Sequence, residues 1–274
     1  MSDSEDRGVP LIEPEFDATL PDKKRKRDDS PEQTAESKKA SKKAKRKEKR
    51  KAKAKQINED DLDQELGVNH AFERMDSQLV ADYINSRTRH YGKDLSSVEL
   101  DEKYIPSYSI KDTSSWSEPR TKENIAAFLK SQSKDLKATP DKPTGAPHTI
   151  VVTSSGIRAA DMYRALNEGL PKQGVKKLNV AKLFAKHIKL SEQVELLKKK
   201  KVDFGVGTPE RLSALLDKKA LNTANLKRVV IDVSYIDQKK RGILDMKDLH
   251  EPLVKLLLRD EFKEESWGVK FLFF

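Results

Sequence analysis

Glycines and small hydroxyl side chains stand where several short apolar runs of this chain end. The run 204–207 passes directly into Gly-Thr-Pro-Glu-Arg at 207–211, and an earlier run ends in Thr-Ser-Ser-Gly at 153–156. A strand that leads into a helix in this way places free backbone N–H groups beside hydroxyls, which suits a phosphate. The residue types leave three uses open: binding of ATP, binding of the RNA backbone, or a simple turn closed by helix capping.

Other catalytic and metal-binding chemistry finds little support in the 274 residues. The absence of cysteine excludes disulfides, a thiol nucleophile and cysteine-ligated zinc or iron–sulfur clusters. The histidines lack the spacing of a zinc site and stand apart at His70, His90, His148, His187 and His250. No apolar run approaches the ~18 residues that span a bilayer. Apart from the uses left open for these loops, we therefore expect no metal, no cofactor and no catalytic residues, and we expect no membrane association.

The C-terminal half alternates short apolar runs with helical patterns after the Pro/Gly-rich stretch 139–147. Thr208 is placed as N-cap and Pro209 as first residue of one helix, and Pro252 predicts a break in the last. This order predicts an α/β fold, a single parallel sheet with helices on both faces. The predicted strands are 148–155, 176–184, 202–208, 226–234 and 267–274, with helices at 156–170, 191–201, 209–219 and 246–262.

Ligands of such sheets bind beyond the carboxyl ends of the strands. Four polar segments follow the predicted strands and should converge there: 153–156, 185–187, 207–211 and 232–235. Their convergence is a stronger indication of a site than any one segment alone.

Upstream of this core, apolar residues between 61 and 89 recur at helical spacing, and their stripe is predicted to pack on the core of the same chain. A groove on a partner is the alternative. The stretch 95–116 is too broken for a helix and too apolar for a free linker, so we expect an extended arm on the globular part. Helical patterning resumes at 121–132, with Ile125, Phe128 and Leu129 facing inward. The predicted divisions are 1–60, 61–116 and 117–274.

Charge is distributed unevenly along the chain, whose net charge is +10. Residues 1–22 carry seven acids and one base, whereas 23–55 carry seventeen Lys/Arg, five acids and no aliphatic side chain larger than alanine. Such a segment cannot bury enough apolar surface to fold alone and is predicted to be a disordered tail. It is typical of a nuclear-import signal that also binds RNA without sequence preference, and a solvated charge run is the alternative. The basic residues proposed for import are Lys23, Lys24, Arg25, Lys26, Arg27, Lys45, Arg46, Lys47, Lys49, Arg50 and Lys51.

The order of the strand ends resembles the first RecA-like domain of DEAD-box RNA helicases over 117–274. In that family, strands ending in Pro-Thr-Arg-Glu-Leu-Ala, in Thr-Pro-Gly-Arg and in Asp-Glu-Ala-Asp follow one another. The corresponding stretches here are 151–161, 207–216 and 228–236. The resemblance implies RNA-backbone contacts by the first two loops, carried by Thr153, Ser154, Ser155, Arg158, Thr208, Pro209 and Arg211. Helix capping by Ser155 and Thr208 is the alternative.

The parts of a helicase that turn over ATP are missing from this pattern. The expected phosphate-binding loop falls at 117–129, where no glycine occurs and Pro119 lacks an N–H. Asp232 keeps the position of the magnesium-binding aspartate, but Val233 replaces the glutamate that orients water. We also expect no second RecA-like domain. The resemblance therefore implies a pseudo-helicase domain and not an ATPase, with an ATPase completed by a partner as the alternative.

A narrower resemblance covers nearly the whole chain. The basic tail, the stretches 98–106 and 112–116, and a degenerate core with Gly-Thr-Pro-Glu-Arg are together similar to the Cms-type (CMSS) family. That family is associated with early small-subunit pre-ribosomes, so the resemblance implies a non-catalytic assembly factor in the nucleus and nucleolus. Implied partners are pre-rRNA or a snoRNA, ribosome-assembly proteins and an import receptor, with this chain as a monomer within the particle. A purely protein-binding scaffold is the alternative function.

Overall fold

The computed structural model describes residues 59–134, 136, 141–170 and 178–274. The predicted import residues of the tail therefore lie outside the described residues. None of the described helices is long and apolar enough to cross a membrane. The first part contains a two-stranded antiparallel hairpin and three α-helices: β1 Leu62–Asp63, β2 Val68–Asn69, α1 Ser77–Tyr91, α2 Ser97–Glu102 and α3 Ile125–Gln132.

From residue 149 onward, strands alternate with helices. The elements are β3 Thr149–Val152, α4 Gly156–Gly169, β4 Val180–Leu183, α5 Leu190–Lys199, β5 Phe204–Gly207, α6 Pro209–Asp217, β6 Arg228–Ile231, α7 Lys247–Leu257, α8 Asp260–Trp267 and β7 Lys270–Phe273. The strands form one sheet in the order β4-β5-β3-β6-β7, and every neighbouring pair is parallel. The predicted α/β fold is confirmed, because each apolar run has the length of a buried strand and is bounded by polar residues.

Alternate residues of each strand enter two separate hydrophobic cores, one on each face of the sheet. On β3, Ile150 and Val152 join the core beneath α1, α5, α6, α7 and α8, while Val151 joins the core beneath α3 and α4. All residues of β3, β5 and β6 are buried, as expected for strands covered on both sides. Helices therefore cover both faces, as predicted.

The segment 59–116 packs on the sheet and shares the larger of these cores. Met75 and Ile84 belong to the same apolar cluster as Ile150 and Phe271. The helical prediction is confirmed for α1 but was wrong for 62–69, which form the hairpin, and the residues between them include a short 3-10 helix, His70–Arg74. Gly67 permits that hairpin because its φ of +66° is left-handed, a conformation in which other residues are strained.

The segment 95–116 was predicted to be an extended arm without a helix. The prediction was wrong for its first part, because the arm begins with helix α2. Helix α2 is only six residues long and is held by a capping box. Ser96 Oγ accepts from the Glu99 N–H at 3.3 Å, and the Glu99 carboxylate accepts from the Ser96 N–H at 2.8 Å. Farther along, the arm lies on the sheet as expected, since the Lys111 N–H donates to Phe271 O at 2.8 Å and Thr113 Oγ1 donates to Phe273 O at 3.0 Å.

Helix α7 runs through Pro252 without the predicted break. An interior proline costs about 3 kcal/mol, since it removes one hydrogen bond and crowds the preceding turn. Leu253 and Leu257 of the same helix are buried in the core, and this burial offsets the cost. The helical pattern is interrupted only after Leu257, and α8 begins at Asp260.

A buried histidine joins α7 to α1. His250 Nε2 lies 2.9 Å from Thr88 Oγ1, and the Tyr91 ring packs against the imidazole. Its Nδ1 is buried and has no hydrogen-bond partner among the described residues. Burial, aided by the charge of Arg87, lowers the pKa of His250 to about 4, although Asp245 opposes the shift. The imidazole is therefore neutral in the folded protein at physiological pH.

Candidate functional site

The loops that follow β3, β4 and β5 meet at the carboxyl edge of the sheet. Together with the start of α7 they form a cleft of about 490 Å³. Because β4, β5 and β3 are neighbours, three of the four polar segments predicted to converge line this cleft, while the fourth, 232–235, follows β6 at the same edge on the other side of β3. The cleft is lined by Ser154, Ser155, Gly156, Ile157, Ala185, Lys186, Thr208, Pro209, Glu210, Asp248, Leu249 and Pro252.

Four of the seven predicted RNA-binding residues line this cleft: Ser154, Ser155, Thr208 and Pro209. The Ser155 hydroxyl caps α4 by accepting from the Arg158 N–H at 3.2 Å, as the capping alternative predicted. Thr208 and Pro209 hold the predicted N-cap and first positions of α6. The Thr208 side chain, however, makes no capping hydrogen bond within the described chain, so its hydroxyl is not used to close the helix.

The other three predicted residues make contacts within the protein. Thr153 is fully buried, and its N–H donates to Gly207 O at 2.9 Å. Arg211 donates through Nη1 to Ile188 O at 3.2 Å and to Gln193 Oε1 at 3.0 Å, which joins α6 to the start of α5. An RNA contact by either residue would compete with these hydrogen bonds.

Arg158, the third of these residues, forms a buried ion pair with Asp232 at the end of β6. Its Nε and Nη2 donate to the two carboxylate oxygens at 2.7 and 3.1 Å, and the Arg158 and Asp232 side chains are 8% and 0% exposed. The guanidinium also lies 4.3 Å from the centroid of the Tyr235 ring. Burial disfavours the positive charge, but attraction to Asp232 outweighs it, and the pKa of Arg158 is raised. The carboxylate at the position expected for a magnesium ligand is thus bound by an arginine of the same chain.

One residue at the position of the expected phosphate-binding loop also turns inward. Arg120 is fully buried between the arm and the sheet. Its Nη1 donates to Phe273 O at 2.6 Å, and its Nη2 donates to Thr113 O at 3.2 Å. Burial lowers the pKa of Arg120 to about 10, against the opposing effect of nearby acids. Arg120 therefore ties this segment to the carboxyl end of β7 and does not reach the surface.

The cleft includes residues that the sequence pattern does not predict. Asp248 comes from the first turn of α7, and no local signal connects that helix with the loops after β3 and β5. Lys186, in the predicted segment 185–187, brings an exposed positive charge, while Glu210 and Asp248 bring negative charges. The described stretches contain no group of three His, Cys, Asp or Glu side chains that could hold a metal ion. The chemistry available in the cleft is therefore hydrogen bonding and packing in a setting of mixed charge.

A family model described as CMS1, U3-containing 90S pre-ribosomal complex subunit, matches residues 18–271 of this chain. The chain belongs to the CMS1 family. Protein CMS1 of Chaetomium thermophilum is 50% identical over 206 residues, which are 74% of this chain and 80% of that protein. Protein cms1 of Schizosaccharomyces pombe is 30% identical over 178 residues, which are 65% of this chain and 62% of that protein. Protein CMSS1 of Homo sapiens is 39% identical over 108 residues, which are 39% of this chain and 37% of that protein.

Membership in the CMS1 family confirms the predicted Cms-type resemblance. It also indicates a role in ribosome assembly, because the family description names a subunit of a pre-ribosomal complex. The resemblance of the core to the first domain of a DEAD-box helicase stays a prediction, as do the RNA contacts that this resemblance implies.

Proposed function

We propose that this protein is a non-catalytic subunit of the U3-containing 90S pre-ribosome that docks on pre-rRNA or a snoRNA through its α/β domain. Membership in the CMS1 family supports association of the protein with this particle and, with it, a nuclear and nucleolar location. The main support for a non-catalytic role is the Arg158–Asp232 pair. Its guanidinium binds both oxygens of a carboxylate that is 0% exposed. A magnesium ion at Asp232 would have to displace a charge-assisted, bidentate contact inside the core.

Other features of the same region support this proposal. No glycine occurs at 117–129 to let backbone N–H groups surround a phosphate, and Arg120 in that stretch is bound to Phe273 and Thr113. Val233, next to Asp232, is buried and carries no group that could orient an attacking water. The domain is therefore proposed to be a pseudo-helicase domain. An ATPase completed by a partner would require rearrangement of a buried ion pair.

Calorimetry of the full chain with ATP and Mg²⁺ tests the non-catalytic part. A ligand present at a concentration of about 100 times its Kd would raise the free energy of unfolding by about 2.7 kcal/mol. This corresponds to a rise of several degrees in Tm. We expect millimolar ATP–Mg²⁺ to leave the Tm unchanged relative to a sulfate control at equal ionic strength. A specific rise of several degrees would contradict the proposal.

The cleft at the carboxyl edge is the proposed RNA contact. Ser154, Thr208 and Lys186 bring two hydroxyls and a positive charge to its lining, beside the first turns of α4 and α6. Helix N-termini attract anions because their first N–H groups have no partner inside the helix. The Thr208 hydroxyl does not cap α6, so it can donate to a phosphate oxygen. Glu210 on the rim opposes this contact and lowers the affinity that we expect.

A protein-binding scaffold is the second candidate, and one observation favours it. Ile157 is 64% exposed in the cleft, beside Pro209, Leu249 and Pro252. Exposed apolar side chains around a concave surface are typical of a protein interface. The two candidates differ in whether RNA crosslinks map to the cleft.

Thr208→Glu and Thr208→Val form a matched pair that separates these candidates. Glutamate places a negative charge where a phosphate would bind, whereas valine keeps the shape of threonine. In cells that carry the full chain, crosslinking and sequencing should show a loss of about tenfold at a defined pre-rRNA or snoRNA site for Thr208→Glu, and a smaller loss for Thr208→Val, which removes the hydroxyl donor but adds no negative charge.

Sedimentation with 90S particles and the thermal stability of both variants serve as controls for this comparison. Unchanged crosslinks in Thr208→Glu, with sedimentation preserved, would overturn the RNA contact at the cleft and favour the scaffold. Absence of the wild-type protein from 90S particles would overturn the proposed function as a whole.

A further inference from the structure

Positive charge in the described structure is concentrated at one edge of the sheet. Residues 180–201, which form β4, α5 and the loop between them, hold seven lysines and two glutamates, a net charge of +5. The whole stretch 56–274 carries a net charge of only +4, so the remainder of it is slightly negative. A polyanion is the kind of partner that such a distribution attracts. All seven lysines are exposed: Lys182, Lys186, Lys189, Lys198, Lys199, Lys200 and Lys201.

A groove of about 850 Å³ lies along β4 within this basic region. Its lining includes Tyr163 and Asn167 of α4, Lys182 of β4, and Lys199 and Lys200 at the end of α5. It shares no described residue with the cleft at the carboxyl edge, so the two are separate surfaces. Its volume lies in the range of specific ligand sites in proteins.

Tyr163 gives this groove an aromatic surface next to a positive charge. The Nζ of Lys182 lies 4.6 Å from the centroid of the Tyr163 ring, within the range of a cation–π contact. The ring is partly buried against the smaller core, which limits its movement. Bases stack on aromatic rings while lysines follow the phosphate backbone, and this combination is typical of proteins that bind single-stranded nucleic acid.

The edge of β4 is less suited to a protein strand. In the described part of the sheet, β4 pairs with β5 alone. Gln193 Nε2 donates to Lys182 O and Phe184 O, both at 2.9 Å, while Gln193 Oε1 accepts from Arg211. A side chain that already uses the edge carbonyls, and a lysine on the edge strand, both disfavour addition of another strand. The observations therefore favour a nucleic acid over a peptide in this position.

We propose that this groove, the β4 groove, binds single-stranded RNA through Tyr163, Lys182, Lys199 and Lys200. The lysines contact phosphate groups, and a base packs on Tyr163. This inference rests on the proposed function, because the pre-ribosome supplies the RNA, but it assigns the contact to a second surface. The β4 groove supplies most of the affinity for RNA in the described domain, since four lysines and one acid, Glu192, line it, whereas one lysine and two acids line the carboxyl-edge cleft.

Binding of a single-stranded oligouridine with 4-thiouridine to the full chain tests the proposal. Crosslinked peptides identified by mass spectrometry should include Tyr163 and residues between 178 and 201. The variant K182E/K199E/K200E should lose these crosslinks, bind the oligonucleotide about tenfold more weakly, and show a salt dependence of log Kd that is smaller by about 2. Tyr163→Leu keeps the packing of the ring position and should weaken binding about fivefold or more, because stacking is lost.

The matched control is K93E/K239E/K255E, which changes the same net charge at exposed lysines on other elements. We expect its affinity and its crosslinks to stay within about twofold of the wild type, since screening at physiological salt confines charge effects to ~8 Å. Equal weakening by both triple variants, or crosslinks confined to residues outside 156–201, would overturn the proposal.

Sedimentation with 90S particles separates this inference from the proposed function. Retained oligonucleotide crosslinks with loss of particle association in K182E/K199E/K200E would make the groove a protein-docking surface and overturn the RNA assignment. Particle association of the wild type without groove crosslinks would overturn the inference and leave the proposed function intact. Groove crosslinks in a protein that never enters the particle would support RNA binding by the groove and overturn the proposed function.

Discussion

Replacement of Asp232 by alanine should lower the free energy of unfolding by about 3–5 kcal/mol, the loss expected when one member of a buried ion pair is removed. Arg158 would then keep its charge at a site where its side chain is only 8% exposed, against the Tyr235 ring and without the carboxylate to which it is hydrogen-bonded. Burial without a counter-ion is the source of the cost, since the lost hydrogen bonds alone would account for less. Urea denaturation of the full chain at neutral pH measures the change.

Two variants serve as controls for this result. Arg164→Ala breaks an ion pair on the same helix, but Arg164 is 66% exposed, and pairs of this kind contribute about 0–1 kcal/mol. The double variant Arg158→Met/Asp232→Leu removes both charges and should recover most of the lost stability, because apolar residues of similar size fill the site. An Asp232→Ala variant as stable as Arg164→Ala would show that the carboxylate is not committed to the fold and is available to a ligand.

Acid should destabilise the protein by about 3 kcal/mol between pH 6.5 and 4 through His250 alone. The pKa of this residue is lowered from 6.5 to about 4 by burial. Below pH 6.5 the unfolded chain takes up a proton that the folded protein cannot accept. The stabilisation is therefore complete above pH 6.5 and is lost as the pH falls toward 4, at about 1.4 kcal/mol per pH unit.

Urea denaturation at several pH values between 7 and 4 measures this loss. Glutamine does not titrate, so the free energy of unfolding of His250→Gln should fall by about 3 kcal/mol less than that of the wild type between pH 6.5 and 4. The substitution itself lowers the stability at neutral pH. His90→Gln is the matched control, because His90 is exposed and lies in helix α1, the helix that carries Thr88. If the wild type and His250→Gln lose stability in parallel on acidification, the acid sensitivity arises elsewhere.

The sheet could be predicted because its strands are short continuous apolar runs. Ile150–Val152 and Val229–Ile231 are buried on both faces, so they show no alternation that could be mistaken for a surface strand. The hairpin before α1 could not be predicted from periodicity, since its strands have two residues each. Helix α2 had a local signal, because Ser96 and Glu99 have the spacing of a capping box.

The candidate site was predictable only where local sequence decides the outcome. Ser155 caps α4 because a hydroxyl precedes the helix, and sequence is enough to show this. An arginine in the first turn of the helix also suits a phosphate, but the real neighbour of Arg158 is Asp232, 74 residues away. These two residues meet because β3 and β6 are adjacent in the sheet, although they are not consecutive in the chain. Strand order therefore decides whether an arginine at a helix start contacts a ligand or the core.

The hydrogen bonds between the arm and β7 determine when this protein can finish folding during its synthesis. Thr113 bonds to Phe273, which is made 160 residues later. At ~5–20 residues per second, translation needs roughly 10–30 s to bridge that distance. Until then Ile110 lacks its partner Phe271 on that strand, and Phe128 lacks its ring contact with Phe274 just beyond it. Chaperones that bind nascent chains would cover the arm until β7 is made, so the supply of the folded protein should depend on their capacity.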